Sequence, residues 1–518
     1  MSGQQTKSQG VQAPAQEVPS LEVLSDSEIE AMTVTVETVP DKPGLRGWVP
    51  TIVFGALVVI AVAGIILTEQ KEMIAVWAVI LMLILMFMKV PVALALAAPG
   101  LLGLYEVIGW RVVETSMTTV TFQTVASWSL SVLPMFIFMG LLLSSSGLTS
   151  KVYIAARHWL GFLPGGLGVA TNTAGTAFAA VSGSTLGVTY ALSRIGIPEM
   201  LRAGYDKRVA IGSIMAAGLP GQLIPPSTFL VLVAGLLETP VGPQLMAGIG
   251  PGFMVSIGFG LAIVVLGLIL PKWVGRTKRF GGGNTSTWAE RWSSLIWIWP
   301  LVVLIAVIFG GIFTGILTAT EAGAIGALGA LIILLVAQRK ANPIKKVLEA
   351  GSNAITSIGA IFFLLVGAHI LGQLLTVSGL GRMFATVVAE SGLDRIQFLL
   401  LVALIFLILG MFMDPLAMLM LTLPFIIPML PILEIDVLWF GVFCVFLGEM
   451  AVLTPPVGML SFVVHSLVQD KEVNLGQRIT LGDVFKSVGL MLPVALVIIV
   501  LLILFPEVAT FIPSLMAG

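Results

Sequence analysis

The sequence predicts an all-α polytopic membrane protein made of two inverted repeats, each with a re-entrant helical hairpin and a proline-broken helix. Three observations lead there: an apolar fraction too high for a soluble core, a series of span-length apolar runs, and a set of motifs that recurs about 230 residues later. Of 518 residues, 57% are hydrophobic and 10% charged, against about 25% charged in a soluble domain. The excess has to face lipid. The net charge of −1 offers no basic stripe for a nucleic acid. A single cysteine, Cys444, excludes an intrachain disulfide and a Cys-rich metal site. His158, His369 and His465 stand far apart without HExxH spacing and read as helix-surface or packing residues. No lysine follows a glycine, so the P-loop ending is missing and ATP is not hydrolysed by that route. No nucleophile–base pair is visible, so no catalytic residue, cofactor or enzymatic activity is expected.

Residues 1–46 are polar, rich in Gln, Ser, Glu and Pro, and lack an apolar period, so a disordered tail without a cleaved signal peptide is expected. A bilayer core needs about 20 apolar residues as helix. The runs at 48–67, 73–88, 91–108, 130–146, 251–270, 296–313, 319–337, 357–377 and 488–505 qualify. Two longer ones, 209–237 and 439–468, are broken by Pro-Pro. Two more, 164–197 and 396–431, are interrupted by Ser182-Gly183-Ser184-Thr185 and by Asp414-Pro415. An apolar stretch that meets a polar break and continues reads as a re-entrant hairpin. The expected order is a tail (1–46), an extra first helix (47–72), a first repeat (73–270), a basic loop (271–295), a second repeat (296–506) and a terminal tail (507–518). Lys272, Arg276, Lys278, Arg279 and Arg291 form the densest basic cluster. Arg339, Lys340, Lys345 and Lys346, then Lys471, Arg478 and Lys486, form two others. Basic loops stay cytoplasmic, which puts the amino terminus inside and the carboxyl terminus outside.

The repeat shows as motifs in constant order. Ser146-Gly147-Leu148 recurs as Ser378-Gly379-Leu380, the break at Gly183 matches Asp414, and Tyr205-Asp206 matches Ile435-Asp436. Leu223-Ile224-Pro225-Pro226 matches Leu453-Thr454-Pro455-Pro456. Four matches at one offset argue for duplication. Region 144–212 carries Lys151, Arg157, Arg194, Arg202, Lys207 and Arg208, whereas 376–442 carries only Arg382 and Arg395. By the same charge rule the two copies face opposite sides, and paired breaks in inverted repeats mark a transporter's binding site.

A helix broken in mid-membrane leaves carbonyls and amides that must line a cavity or bind something. Carbonyls at half-helix C-termini attract cations, and amides at half-helix N-termini attract anions. Four such elements stand here: Val181 to Thr185, Gly221 to Thr228, Gly410 to Pro415 and Leu453 to Gly458. The first should pack on the second and the third on the fourth, as two oxygen-rich cages. Oxygen donors without thiolate or imidazole suit a hard cation such as sodium. Asp414 has no basic residue from 396 to 470 and is the sharpest candidate. It also reads as the N-cap before Pro415, and a cap can be a ligand. Glu449 and Glu321 either pair across the protein or face a cavity, Glu321 reading equally as an edge carboxylate. Asn172 reads as a packing residue, and Met411, Met413, Met418 and Met420 as apolar filler.

Taken together, Ala-Val-Ser-Gly-Ser-Thr, Ile-Pro-Glu-Met-Leu-Arg-Ala-Gly-Tyr-Asp, Gly-Gln-Leu-Ile-Pro-Pro-Ser, Gly-Met-Phe-Met-Asp-Pro, Trp439-Phe440-Gly441 and Leu-Thr-Pro-Pro-Val-Gly resemble the large (M, DctM-like) membrane subunit of TRAP transporters. Lys89-Val90-Pro91-Val92-Ala93 resembles the usual opening of that subunit, and the resemblance runs from about residue 73 to 506. It implies an elevator-type mechanism and sodium-coupled uptake of an organic carboxylate across the bacterial inner membrane. It also implies a periplasmic substrate-binding protein and a separate small four-helix membrane subunit as partners. Carried over by motif, the sodium ligands are Ser182, Gly183, Ser184, Thr185, Gly221, Pro225 and Pro226, and then Gly410, Asp414, Thr454, Pro455 and Gly458. The substrate is expected at Ser184, Thr185, Ser227 and Asp414, with sodium the sole metal. The extra first helix departs from the family pattern. Two rival readings are a stand-alone inverted-repeat sodium/dicarboxylate symporter and a channel or scaffold without coupled transport.

Overall fold

The computed structural model describes residues 45–275, 286–454 and 458–516. The expected tail falls outside them except for its last two residues, as do Arg276, Lys278 and Arg279 of the basic loop and Pro455 and Pro456 of the second break. The described residues form helices with no strand, apart from one isolated bridge between Tyr205 and Val274. Among the described residues, five helices are long and apolar enough to cross a membrane, Val241–Ile269, Trp288–Phe313, Ala319–Ala337, Pro343–Ser378 and Leu481–Leu504, and the expected runs at 48–67, 73–88, 91–108 and 130–146 fold as the helices Leu45–Leu67, Lys71–Phe87, Val92–Ile108 and Val132–Ser145. Large apolar side chains on them face outward, with Ile66, Val302, Ile332 and Val497 each more than half exposed. Patches of that extent are not tolerated in water and mark a lipid-facing surface. The molecule is an all-α multi-pass membrane protein.

Where helices outrun the apolar runs, caps explain it. Trp288–Phe313 begins ahead of position 296 because Thr287 and Glu290 cap each other's backbone amides. Leu481–Leu504 begins ahead of 488 through Thr480 and Asp483. Pro343 opens a helix of 36 residues, well before the expected 357. Hydropathy marks the length of helix in lipid, whereas caps decide where the helix starts. Its counterpart in the first repeat is not continuous: Trp110–Val125 and Ser129–Ser145 meet at a 55° bend. Trp110–Val125 escapes an apolar-run search because Thr and Ser interrupt it. Residues 507–518, read as a tail, contain the helix Glu507–Met516.

The motif repeat reappears as repeated geometry. Gly147 and Gly379 both take φ +78°, a left-handed turn that glycine adopts without strain. In each copy the preceding serine accepts the amide two residues on, at 3.3 Å from Leu148 and 3.3 Å from Leu380. Each turn leads into an amphipathic helix, Leu148–Leu160 and Leu380–Glu390. Asp206 and Asp436 are both N-caps, each accepting a backbone amide at 2.8 Å, from Arg208 and Trp439. Helices of the interrupted type follow. Lys207–Ala217 runs through a tight turn, Leu219–Gln222, breaks, and resumes as Thr228–Leu236. Val437–Ala451 breaks and resumes as Met459–Leu467. Each repeat also carries a hairpin, Gly166–Ser182 with Thr185–Arg202, and Arg395–Gly410 with Pro415–Ile426. The first arm of each hairpin packs on the broken helix of its own repeat. The second arm packs there too, and also reaches the resumed half of the other repeat's broken helix, Thr185–Arg202 on Met459–Leu467 and Pro415–Ile426 on Thr228–Leu236.

Candidate functional site

Small residues let the hairpin tips reach the breaks. A methyl group at Gly221 would overlap the Ala179 methyl, and one at Gly410 would overlap the Ala451 methyl. By the repeat offset these are one contact seen twice with its members exchanged. Glycine stands on the broken helix in the first repeat and on the hairpin in the second. A methyl at Gly140 would lie 2.6 Å from the Ser182 carbonyl oxygen, so Val132–Ser145 closes against the same tip through its own glycine.

At the first tip the chain turns through Gly183 at φ +60°. The Gln222 side-chain amide donates to the Gly183 carbonyl at 2.6 Å, and Thr228 lies beside Gly183. Ser184 caps the second arm by accepting the Gly187 amide at 3.1 Å. The Thr185 hydroxyl, buried, donates to the Glu449 carboxylate at 2.6 Å. Two oxygens in this junction are buried without a hydrogen-bond partner among the described residues, the Ser182 Oγ and the Gln222 Oε1. Pro225 and Pro226 are buried in the break itself. Ser227 is 0% exposed; its hydroxyl donates to the Gln222 carbonyl and accepts the Leu230 amide at 3.1 Å. Both of these hydrogen bonds of Ser227, expected as a substrate contact, hold the break.

At the second tip Gly410 ends its arm against Ala451, and Asp414 caps the returning arm by accepting the Ala417 amide at 3.1 Å. The other Asp414 carboxylate oxygen has no hydrogen-bond partner among the described residues. The Thr454 hydroxyl donates to the Met450 carbonyl at 3.1 Å. Gly458 takes φ +30°, and a methyl there would lie 3.0 Å from both the Leu453 and the Thr454 carbonyl oxygens. Two carbonyls thus converge at the second break. Pro455 and Pro456 lie outside the described residues.

The structure brings Gly183 against Gln222 and Thr228 of the first break, Thr185 against Gly218 and Glu449, Ser182 against Gly140, and Gly410 against the second broken helix. No hydrogen bond joins Asp414 to Ser184 or Thr185 among the described residues. Four participants were not singled out as ligands in the sequence: Gln222 and Thr228, within the Gly221 to Thr228 element, and Ala179 and Ala451. Gln222 and Thr228 are polar side chains inside a marked break, with nothing in the sequence to say that they face the tip, and Ala179 and Ala451 left no signal. Glu449 was noted without a partner, and the structure gives it Thr185 from the opposite repeat. Glu321 is an exposed local cap, accepting the Thr318 amide at 2.8 Å. Asn172 donates to the Ser256 carbonyl at 2.9 Å, tying hairpin one to Ile249–Ile269. The histidines contact separate neighbours, His158 with Ser286, His369 with Thr124 and His465 with Gln469.

The family described as "Tripartite ATP-independent periplasmic transporter, DctM component" matches residues 79–508. The C4-dicarboxylate TRAP transporter large permease protein DctM of Pseudomonas aeruginosa is 30% identical over 402 residues, covering 77% of this chain and 89% of that one. The sialic acid TRAP transporter permease protein SiaT of Haemophilus influenzae is 27% identical, over 85% of this chain and 68% of that one. The 2,3-diketo-L-gulonate TRAP transporter large permease protein YiaN of Escherichia coli is 27% identical, over 75% and 86%. Among solved structures the YdaH transporter of Alcanivorax borkumensis has a TM-score of 0.52 at 15% identity, covering 79% of this chain and 89% of that one, a likeness of fold. Both the family match and a 30% identical relative spanning most of each chain lead to one conclusion: this chain belongs to the tripartite ATP-independent periplasmic (TRAP) transporter family, as a DctM-type large permease subunit and not an enzyme.

Proposed function

We propose that the chain is the large permease of a sodium-coupled importer of an organic carboxylate. It would sit in the bacterial inner membrane with its amino terminus in the cytoplasm. Its partners would be a separate small four-helix membrane subunit and a periplasmic substrate-binding protein. The observation that carries the reading is the pair of matched junctions where a hairpin tip meets a broken helix. At the first, the Ser182 Oγ and Gln222 Oε1 are buried without partners, a condition that is costly unless something binds them. At the second, the Leu453 and Thr454 carbonyls converge on Gly458, and Asp414 is the sole carboxylate at the tip of the hairpin whose Gly410 packs on Ala451 of that broken helix. Hydroxyl, carbonyl and carboxylate oxygens without nitrogen or sulfur donors favour a hard cation.

In this reading Ser182, Gly183 and Ser184, with Gly221 and the Pro225–Pro226 segment, hold one sodium ion. Gly410, Asp414, Thr454, Pro455 and Gly458 hold another. Thr185 contributes through its bond to Glu449. The half-helix N-termini at Ser184 and Asp414 face the substrate, where backbone amides favour a carboxylate. Dicarboxylates, sialic acid and diketo-gulonate in the relatives' names support an organic acid. The second arms of both hairpins pack across the repeats, which supports their moving together as one transport body past the remaining helices.

The test is uptake into proteoliposomes containing this chain and its small subunit, with the binding protein outside, across a panel of labelled organic acids. Uptake that needs all three proteins and an inward sodium gradient is expected. Uptake by this chain alone would favour the stand-alone symporter. A second test replaces both Pro225 and Pro226 with Ala. A protein that still inserts but no longer transports is expected, and normal transport would dissociate the break from the site.

A further inference from the structure

The two amphipathic helices, Leu148–Leu160 and Leu380–Glu390, leave matching turns but are held differently. The first is fastened at its turn. Gln338, which follows the span Ala319–Ala337, donates its side-chain amide to the Ser146 carbonyl at 2.9 Å, and its oxygen accepts from the Lys346 Nζ at 3.1 Å. Further along, Arg157 pairs with Glu199 of hairpin one at 2.6 Å, and the Trp159 indole N–H donates to the Arg291 carbonyl at 3.1 Å. Tyr153, 2% exposed, fills the seam with hairpin one beside Arg157 and Glu199.

The second copy lacks these ties. Val92–Ile108 packs on Pro343–Ser378 as Ala319–Ala337 packs on Val132–Ser145. The residue that follows Val92–Ile108 is Gly109, however, where a methyl group would meet nothing within 4 Å. The offset that carries Ser146 to Ser378 carries Tyr153 to Ala385, and Ile197-Pro198-Glu199 returns as Ile427-Pro428-Met429. In place of the ring and the carboxylate there is a cavity of about 520 Å³, lined by Arg382, Ala385, Thr386, Glu390, Pro428 and Ile432. Leu380–Glu390 touches hairpin two at Pro415–Ile426 and Ile427–Met429 and packs on Lys71–Phe87 and Pro343–Ser378. Beyond its own turn, though, none of its side chains makes a hydrogen bond or ion pair to another element among the described residues. A cavity with a polar wall is wetted and can widen or narrow by moving water. Parting the first seam would instead break an ion pair and bare a buried tyrosine.

We propose that Leu148–Leu160 is a locked arm and Leu380–Glu390 a free one, which swings against hairpin two across the cavity during transport. Gln338 is the positioning residue of the lock, and the swing rests on the transport reading above. The test is hydrogen exchange on the full chain in lipid nanodiscs, which reads the local opening of each arm. In the parent, the amides of Leu380–Glu390 should exchange about tenfold faster than those of Leu148–Leu160, because the first arm must release its ties before it opens. Gln338→Ala should speed exchange in Leu148–Leu160 about fivefold, the worth of one hydrogen bond. It should leave Leu380–Glu390 and the span Leu481–Leu504 unchanged, which separates release of an arm from loss of the fold. Equal protection of the two arms in the parent, or an unaltered Leu148–Leu160 in the variant, would overturn the lock. A rise in exchange throughout the chain would overturn it too, by making Gln338 a general prop. Ala385→Trp, which fills the cavity, tests the swing: exchange in Leu380–Glu390 and uptake into proteoliposomes should both fall. Slower exchange with normal uptake would overturn the swing, and a parent that takes up nothing under any gradient would count against the transport reading and not against the lock.

Discussion

Replacing Gly221 with Ala tests the contact on which both junctions are built. The new methyl would overlap the Ala179 methyl and lie 2.6 and 2.7 Å from the Ala179 carbonyl carbon and Cα. Carbon atoms rest about 3.5–4.0 Å apart, so hairpin one would have to retreat by about 2 Å. Overpacking of this kind costs about 1–3 kcal/mol, which corresponds to about 5- to 150-fold fewer molecules with the tip seated. Adding Ala179→Gly removes the methyl overlap and leaves the 2.6 Å contact, so a retreat of about 1 Å remains. The double variant has glycine on the hairpin and alanine on the broken helix, the arrangement that Gly410 and Ala451 already adopt in the second repeat. The expected result is strong loss of sodium-driven uptake in Gly221→Ala and partial recovery in Ala179→Gly/Gly221→Ala, at similar protein abundance. Ala179→Gly alone should be mild, at about 1 kcal/mol of helix propensity. A double variant no better than Gly221→Ala would refute the argument that this pair sets the approach.

Three further predictions concern the polar groups. Asp414→Asn keeps an N-cap of nearly equal quality, so the thermal midpoint should hold. The sodium concentration for half-maximal uptake should rise by about tenfold or more as a charge is lost beside the cation, and unchanged sodium activation would remove Asp414 from the site. Glu449→Ala strands the buried Thr185 hydroxyl and should cost about 1–3 kcal/mol. Glu449→Gln, which keeps an acceptor oxygen, should recover most of that in thermal unfolding, and an Ala variant as stable as the parent would show the bond to be idle. Ser182→Ala deletes a buried oxygen that has no partner. It should leave stability without sodium intact while shrinking the stabilisation that added sodium gives. An undiminished sodium effect would show that the hydroxyl is not a ligand.

Much of the architecture was legible because it rests on local rules. Lipid demands apolar runs of helical length, so spans could be read from composition. The Ser-Gly-Leu turns and the Asp206 and Asp436 caps are short-range hydrogen-bonded devices, so their recurrence in sequence returned as recurrence in geometry. Helix ends were less legible. Thr287 with Glu290, and Thr480 with Asp483, extend helices beyond their apolar portion, and Glu507–Met516 is an amphipathic helix too short to stand out as a span. Within the site, Asp414 announced itself as a carboxylate amid apolar residues. Gln222 and Thr228 did not, since a polar residue beside a break looks the same whether it faces the tip or not.

By itself the sequence determined that this chain lives in a membrane, that its turn and cap motifs recur at one offset, and where its helices must break. Each follows from residue chemistry that acts over a few positions: hydrophobicity, proline's missing amide and glycine's missing side chain. Tertiary structure alone decided which broken end meets which. It paired Thr185 with Glu449 across 264 positions and Gln222 with Gly183 across 39. It set Ala179 against Gly221 and Gly410 against Ala451. It also left Ser182 and Gln222 each with a buried, unpartnered oxygen. Such choices depend on how whole helices pack. In lipid, where no hydrophobic force drives helix to helix, that packing is settled by close fit at small residues and by a few buried hydrogen bonds.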